Sequence, residues 1–166
     1  MTRWLALAVA ALLAAIDQII KLWALNVLRP VYQIVVIPGL FNLTFVENRG
    51  AAFGIMQGRT VLLSVIVGLV LVAGVYLILA RRLESNFMVW VAAIILSGGA
   101  GNLIDRISYG YVVDYLDFSA IFGFPVFNFA DCCVVIGTFL LLFYVIRQDL
   151  ERAKAAKAEE ASNGGN

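Results

Sequence analysis

The 166-residue chain contains no histidine. That absence removes every Ser–His and Cys–His nucleophile pair, the HExxH zinc proteases and any His-ligated metal. Cysteine is almost missing as well, and the two that occur, Cys132 and Cys133, are adjacent. They form neither a CxxC motif nor a disulfide framework, and read as small apolar fillers, not nucleophiles. Charge is scarce: 14% of residues are charged, against about 25% in a soluble domain. A net charge of +1 lacks the basic excess of a nucleic-acid binder. What is abundant is apolar sequence, 63% of the chain, with a mean hydropathy of +0.95. Any chemistry therefore falls to carboxylates, Lys, Arg, Ser, Asn or the backbone.

A bilayer span needs about 20 mostly apolar residues. Val61–Ala80 carries no charge, Phe87–Ile104 ends at Asp105 and Arg106, and Cys132–Ile146 extends backwards through apolar residues before Asp131. The N-terminal run Trp4–Ile16 resumes after Asp17 and Lys21 with Leu22–Leu25, so it reads as an uncleaved first span and not a signal peptide. The expected fold class is an α-helical integral membrane protein with four transmembrane helices, at roughly 4–25, 61–80, 87–106 and 128–146. Residues 1–146 form one membrane-embedded domain, with outer segments 27–60 and 107–127. Residues 147–166 form a charged cytoplasmic tail that continues the last helix and frays.

Arg3, Arg81, Arg82, Arg147, Arg152, Lys154 and Lys157 fall on one side of this arrangement, against Arg29, Arg49 and Arg59 on the other. The positive-inside rule then puts both termini in the cytoplasm. Phe41–Phe45 alternates apolar and polar residues, and Val31–Ile37 is rich in β-branched residues, with Pro38–Gly39 as a turn between them. A small sheet on the outer membrane surface is expected, with Ala51–Gln57 as a short interfacial helix.

Ionisable groups at membrane depth are costly and point to function. Asp17, Lys21, Asp105, Arg106, Asp114 and Asp131 all gather towards the outer ends of spans. Asp17 and Lys21 stand at i, i+4, which fits a self-neutralising pair as well as a site. Asp105 with Arg106 fits a structural polar network. The small-residue run Ser97–Gly101 permits close helix approach, and equally room for a substrate backbone. Asn128 fits an N-cap, with Asp131 in the first helical turn. Asp114, alone in the apolar run Tyr111–Leu116, needs water or a partner. If Asp114 and Asp131 face each other they form a carboxylate dyad sharing one proton, able to activate water and protonate a leaving group. The helix terminus favours charge on Asp131, which leaves Asp114 as proton holder.

Five blocks carry a resemblance: Asp17–Lys21 (DQIIK), Glu47–Gly54 (ENRGAAFG), Gly98–Arg106 (GGAGNLIDR), Val112–Tyr115 (VVDY) and Phe127–Asp131 (FNFAD). In this order, over about residues 4–146, they resemble the lipoprotein signal peptidase (signal peptidase II) family. The resemblance implies a bacterial inner-membrane aspartyl endopeptidase with four transmembrane helices and an extracytoplasmic β-cradle. It implies removal of signal peptides from prolipoproteins, by cutting before a diacylglyceryl-modified cysteine, without cofactor or metal. It further implies that Asp114 and Asp131 are the catalytic pair. Asp17, Lys21, Asn48, Asn102, Asp105, Arg106, Asn128 and Ala130 match positions that shape or support the site. Expected partners are the prolipoprotein, membrane lipids and cyclic peptide inhibitors of the globomycin type at the dyad; nucleic acid is not expected.

Three rival readings stand beside this one. A metal-dependent membrane transferase would hold a divalent cation with Asp105, Asp114, Asp117 and Asp131. A non-enzymatic carrier would line a polar path with Asp17–Lys21 and Asp105–Arg106. A Ser–Lys protease would pair Lys21 with Ser97.

Overall fold

The computed structural model describes residues 1–50 and 58–163, so the expected interfacial helix at 51–57 lies outside the described residues. Among the described residues four helices are long and apolar enough to cross a membrane: Thr2–Val31, Thr60–Leu79, Asn86–Tyr109 and Phe129–Ala156. The chain is a multi-pass membrane protein. The first of these spans is composite. Helix α1 (Thr2–Trp23) runs into a π-helical turn, Ala24–Leu28, and then the short α2 (Arg29–Val31). The widened turn precedes Pro30, whose ring in an α-helix would meet the carbonyl four residues back. Sequence periodicity alone did not signal this turn.

Buried positions in α1 are Ala6, Ala10, Ala14, Asp17 and Lys21, a single stripe at helical spacing. Alanine along that stripe lets α1 lie close against α4 (Asn86–Tyr109), which also packs against α3 (Thr60–Leu79) and α6 (Phe129–Asn163). Helix α4 is thus the hub. Ser85 caps its start, accepting from Met88 N at 3.2 Å, and Gly110 ends it with φ +78°. In α3 only Leu63 and Ile78 are buried, so nearly its whole apolar circumference faces outward, as a helix in lipid should. Helix α6 runs on without interruption to Asn163, carrying the charged tail.

The small-residue run of α4 resolves in favour of close packing. A Cβ at Gly98 would collide with the Ala130 carbonyl oxygen of α6 and stand 2.8 Å from Val134 Cγ2; one at Gly101 would collide with Asp17 Oδ2. Replacing Gly98 with alanine is expected to cost about 1–3 kcal/mol through overpacking. Thermal unfolding in detergent micelles measures this, and an unchanged midpoint would contradict the α4–α6 packing.

A three-stranded antiparallel sheet in the order β1-β2-β3 stands at one end of the bundle. Strands β1 (Gln33–Ile37) and β2 (Phe41–Asn48) form the expected hairpin, with Gly39 at φ +73° in its turn. The third strand, β3 (Val112–Asp117), was not legible as one, because it is almost wholly buried and lacks the apolar–polar alternation of a half-exposed strand. Val46 pairs with Asp114 and Asn48 with Val112. A short helix, α5 (Ser119–Phe122), leads from β3 towards α6. Ala24, Leu28, Phe45, Tyr111, Val113 and Tyr115 form the core that joins sheet to helices, separate from the mid-bundle core around Ala6, Ala93 and Leu96.

Candidate active site

The site begins with the free N–H groups at the start of α6. A helix N-terminus leaves its first amides without intrahelical partners. Here each is met by a side chain from a different element. Asn128 Oδ1 accepts from Asp131 N at 2.9 Å, while Asp131 Oδ2 accepts from Asn128 N at 3.2 Å, the reciprocal bonds of a capping box. Asp17 Oδ1 of α1 accepts from Ala130 N at 2.9 Å, and the Tyr115 hydroxyl of β3 accepts from Phe129 N at 3.2 Å. Asn128 is therefore a cap, and more than that. Its amide nitrogen donates to Asp114 Oδ1 at 2.6 Å and to Asn102 Oδ1 at 3.1 Å. One residue thus touches both carboxyl groups.

Beneath lies a buried ion cluster. Lys21 Nζ reaches Asp17 Oδ2 at 2.9 Å, Asp105 Oδ2 at 2.9 Å and Asn102 Oδ1 at 2.8 Å, which uses all three ammonium protons. The three ionic side chains are at most 1% exposed. Gln18 ties the same acids together, its amide nitrogen standing 2.9 Å from Asp105 Oδ1, 3.3 Å from Asp17 Oδ2 and 3.0 Å from the Gly101 carbonyl oxygen. Asp105 Oδ2 also accepts from Val113 N at 2.9 Å. The consequence is geometric: Asp17 holds the backbone one residue before Asp131, and Asp105 holds it one residue before Asp114. Asn102 links cluster to dyad, taking a bond from Lys21 and giving one to Asp131 Oδ1 at 2.7 Å.

Above the dyad opens a cavity of about 650 Å³, lined by Asn48, Asn102, Arg106, Asp114 and Asp131 among others. Asn48 Nδ2 donates to Asp114 Oδ2 at 2.9 Å. Arg106 turns away from its neighbour Asp105 and bonds the Gly50 carbonyl at 3.0 Å and the Asn102 carbonyl at 3.3 Å. Asp17, Lys21, Asp105, Asn128 and Ala130 stand behind the cavity wall and act through their neighbours. Burial, with the charge of Asp131 second, pushes the Asp114 carboxyl up to about 7, against the pull of hydrogen bonds from Asn48 and Asn128. Asp114 therefore keeps its proton to a higher pH than an ordinary carboxyl and gives it up around pH 7.

Two geometric details bear on the rivals. Asp117 turns from the dyad to Thr44 Oγ1 at 2.6 Å and Ser119 N at 3.0 Å, while Asp105 turns to Lys21, so the four aspartates do not converge. Ser97 donates to the Ile94 carbonyl of its own helix at 2.7 Å, and Lys21 is occupied elsewhere. Sequence reasoning missed two contributors. Gln18 and Tyr115 lay inside the quoted Asp17–Lys21 and Val112–Tyr115 blocks with no role, although Gln18 bonds Asp105 and Tyr115 is buried and clasps α6.

A helical membrane protein with a carboxylate pair, Asp114 buried and Asp131 half-buried, facing a cavity beside a small sheet is the class that fold and site define. The family model described as signal peptidase (SPase) II matches residues 9–147. The lipoprotein signal peptidase of Clostridium novyi (strain NT) is 42% identical over 135 residues, covering 80% of this chain and 91% of that protein. That of Halothermothrix orenii is 44% identical over 142 residues, covering 85% and 94%. Among solved structures, a bacterial membrane enzyme determined by the in meso method at 2.3 Å superposes with a TM-score of 0.80 at 30% identity, covering 87% of this chain and 88% of that one. The chain belongs to the signal peptidase II family and is a peptidase.

Proposed function

We propose that the chain is an aspartyl endopeptidase that removes the signal peptide from diacylglyceryl-modified prolipoproteins, cutting before the lipid-modified cysteine. The observation that carries this reading is the bridging of Asp114 and Asp131 by Asn128 at the floor of one cavity. Asp131 enters as the carboxylate, supported by the α6 N-terminus, the Asn128 amide and Asn102. It takes a proton from water as the water oxygen attacks the scissile carbonyl. Asp114 gives its proton to the carbonyl oxygen, forming a neutral gem-diol. Collapse breaks the C–N bond; the proton on Asp131 passes to the departing amine and a diol proton returns to Asp114. No covalent intermediate forms and no histidine is required.

The four spans account for the membrane location, since a lipid-anchored substrate reaches the dyad by lateral diffusion. In this reading both termini are cytoplasmic, the membrane is the bacterial inner membrane, and the dyad faces its extracytoplasmic side. A cyclic peptide inhibitor of the globomycin type would occupy the dyad cavity. The test is cleavage of a diacylglyceryl-modified prolipoprotein by the purified enzyme in micelles, beside the unmodified precursor. Cleavage of the modified form alone, undiminished by chelator, is expected. Loss with chelator would favour the metal-dependent alternative.

The Asp114 carboxyl sets an expected pH profile. Its acid function is lost as pH rises through about 7, so kcat falls on the alkaline side. Asn48→Leu removes a donor to the charged form, which moves that alkaline limb to higher pH. Stability has the same sign: folded Asp114 binds its proton more tightly than the unfolded chain, so its contribution declines as pH rises from about 3.9 towards 7. A limb that stayed in place in Asn48→Leu would assign the titration to another group.

A further inference from the structure

The cavity has two unlike sides. One is apolar, formed by Phe124, Val126, Val134, Val135 and Ile136 at the α6 side. The other is a polar lip at the end of β2, where Glu47, Asn48, Arg49 and Gly50 line the cavity and the Arg49 side chain remains exposed to water. On that lip Glu47 meets two arginines: Arg49 Nη2 stands 3.1 Å from Oε2, and Arg29 Nη2 stands 3.4 Å from Oε1. Each guanidinium also lies 5.7 Å from a ring centroid, Arg49 over Tyr111 and Arg29 over Phe45. Two cations on one carboxylate leave an excess of one positive charge. The arginines nonetheless remain 55% and 62% exposed, so their unused donors reach water. A guanidinium already braced in place loses little freedom on meeting a further anion.

Resting on the function above, we propose that Arg49, braced by Glu47 and Arg29, is a specificity-determining residue that favours carboxylate side chains just after the modified cysteine. The signal peptide and the acyl chains are apolar and lead into lipid, which matches the apolar side. The chain that follows the cysteine leads out to water, and the charged lip borders that exit. An acidic residue there gains a Coulombic partner at the mouth, and a lysine meets a like charge. The effect belongs to KM, because Arg49 is held by Glu47 and Tyr111, whereas the dyad carboxyls are bonded by Asn48, Asn102 and Asn128.

The experiment uses the full-length enzyme in neutral detergent micelles with diacylglyceryl-modified prolipoproteins carrying Asp, Asn or Lys immediately after the cysteine. The Asp substrate is expected to show a KM about three- to ten-fold below the Lys substrate at low salt, with kcat alike. The ratio should shrink towards one at high salt. Arg49→Gln should erase it, Glu47→Gln should widen it, and Arg49→Lys should retain most of it. Equal KM values in the unaltered enzyme would overturn the inference without a folding question. So would an unchanged ratio in Arg49→Gln, or a KM that followed added anionic lipid and ignored substrate charge. If no modified precursor is cleaved at all, the proposed function itself fails.

Discussion

Asp114→Asn and Asp131→Asn are each expected to lower kcat for cleavage by at least about a thousand-fold, with the protein still folded. Each exchange removes one acid at nearly constant size. In the proposed mechanism, the exchange at 131 removes the group that takes the water proton, and the exchange at 114 removes the proton donor, an amide replacing a carboxyl whose pKa is raised to about 7. Neither exchange leaves a charge stranded, so thermal unfolding should move far less than turnover. At 114 the new NH2 group replaces one oxygen and faces the donor of either Asn48 or Asn128, so a modest local adjustment accompanies the loss. Turnover by a folded Asp114→Asn or Asp131→Asn protein within ten-fold of the unaltered enzyme would end the dyad assignment.

The second large effect is expected at Lys21, which lies outside the cavity. Lys21→Met removes the cation shared by Asp17 and Asp105, and leaves two buried carboxylates against each other. Breaking a buried ionic cluster in this way costs about 3–5 kcal/mol, a large fraction of any domain's stability. The carboxylates also hold Ala130 N and Val113 N, so the backbone before each dyad member is released together. A compensated variant separates the two consequences. Lys21→Met combined with Asp17→Asn and Asp105→Asn carries no stranded charge and should recover most of the unfolding midpoint. Its kcat should stay depressed, because Asn102 has lost the ammonium that orients it towards Asp131. Full recovery of kcat would reduce Lys21 to a stability element.

The residues of the site were legible by kind, and their roles much less so. Asp17–Lys21 looked like a self-neutralising i, i+4 pair; in the fold the lysine is shared with Asp105 of α4, 84 positions from Lys21 in the chain. Asp105 and Arg106 looked like partners and diverge, one inward to Lys21 and one to the cavity. For Asn128 the capping reading holds, and the other end of the same amide reaches Asp114. Ala130 offers nothing chemical as a side chain. What matters there is its N–H, which Asp17 holds from 113 residues away.

Sequence alone determined the solvent and narrowed the reagents. Runs of about 20 apolar residues can only be helices in lipid, where every backbone amide needs an internal partner. With no histidine, any hydrolysis was left to carboxylates, Lys, Arg, Ser, Asn or the backbone, and the five ordered blocks resembled a family in which Asp114 and Asp131 would be the pair. Only the tertiary structure decided which polar group faces which, and that β3 completes the sheet. The reason is range. Helical and strand periodicities are written between near neighbours, whereas the choice of partner for a buried charge is made between residues some 80 to 110 positions apart, once α1, α4, β3 and α6 have packed. The missing histidine said which chemistry remained, and the packing of those four elements supplied its geometry.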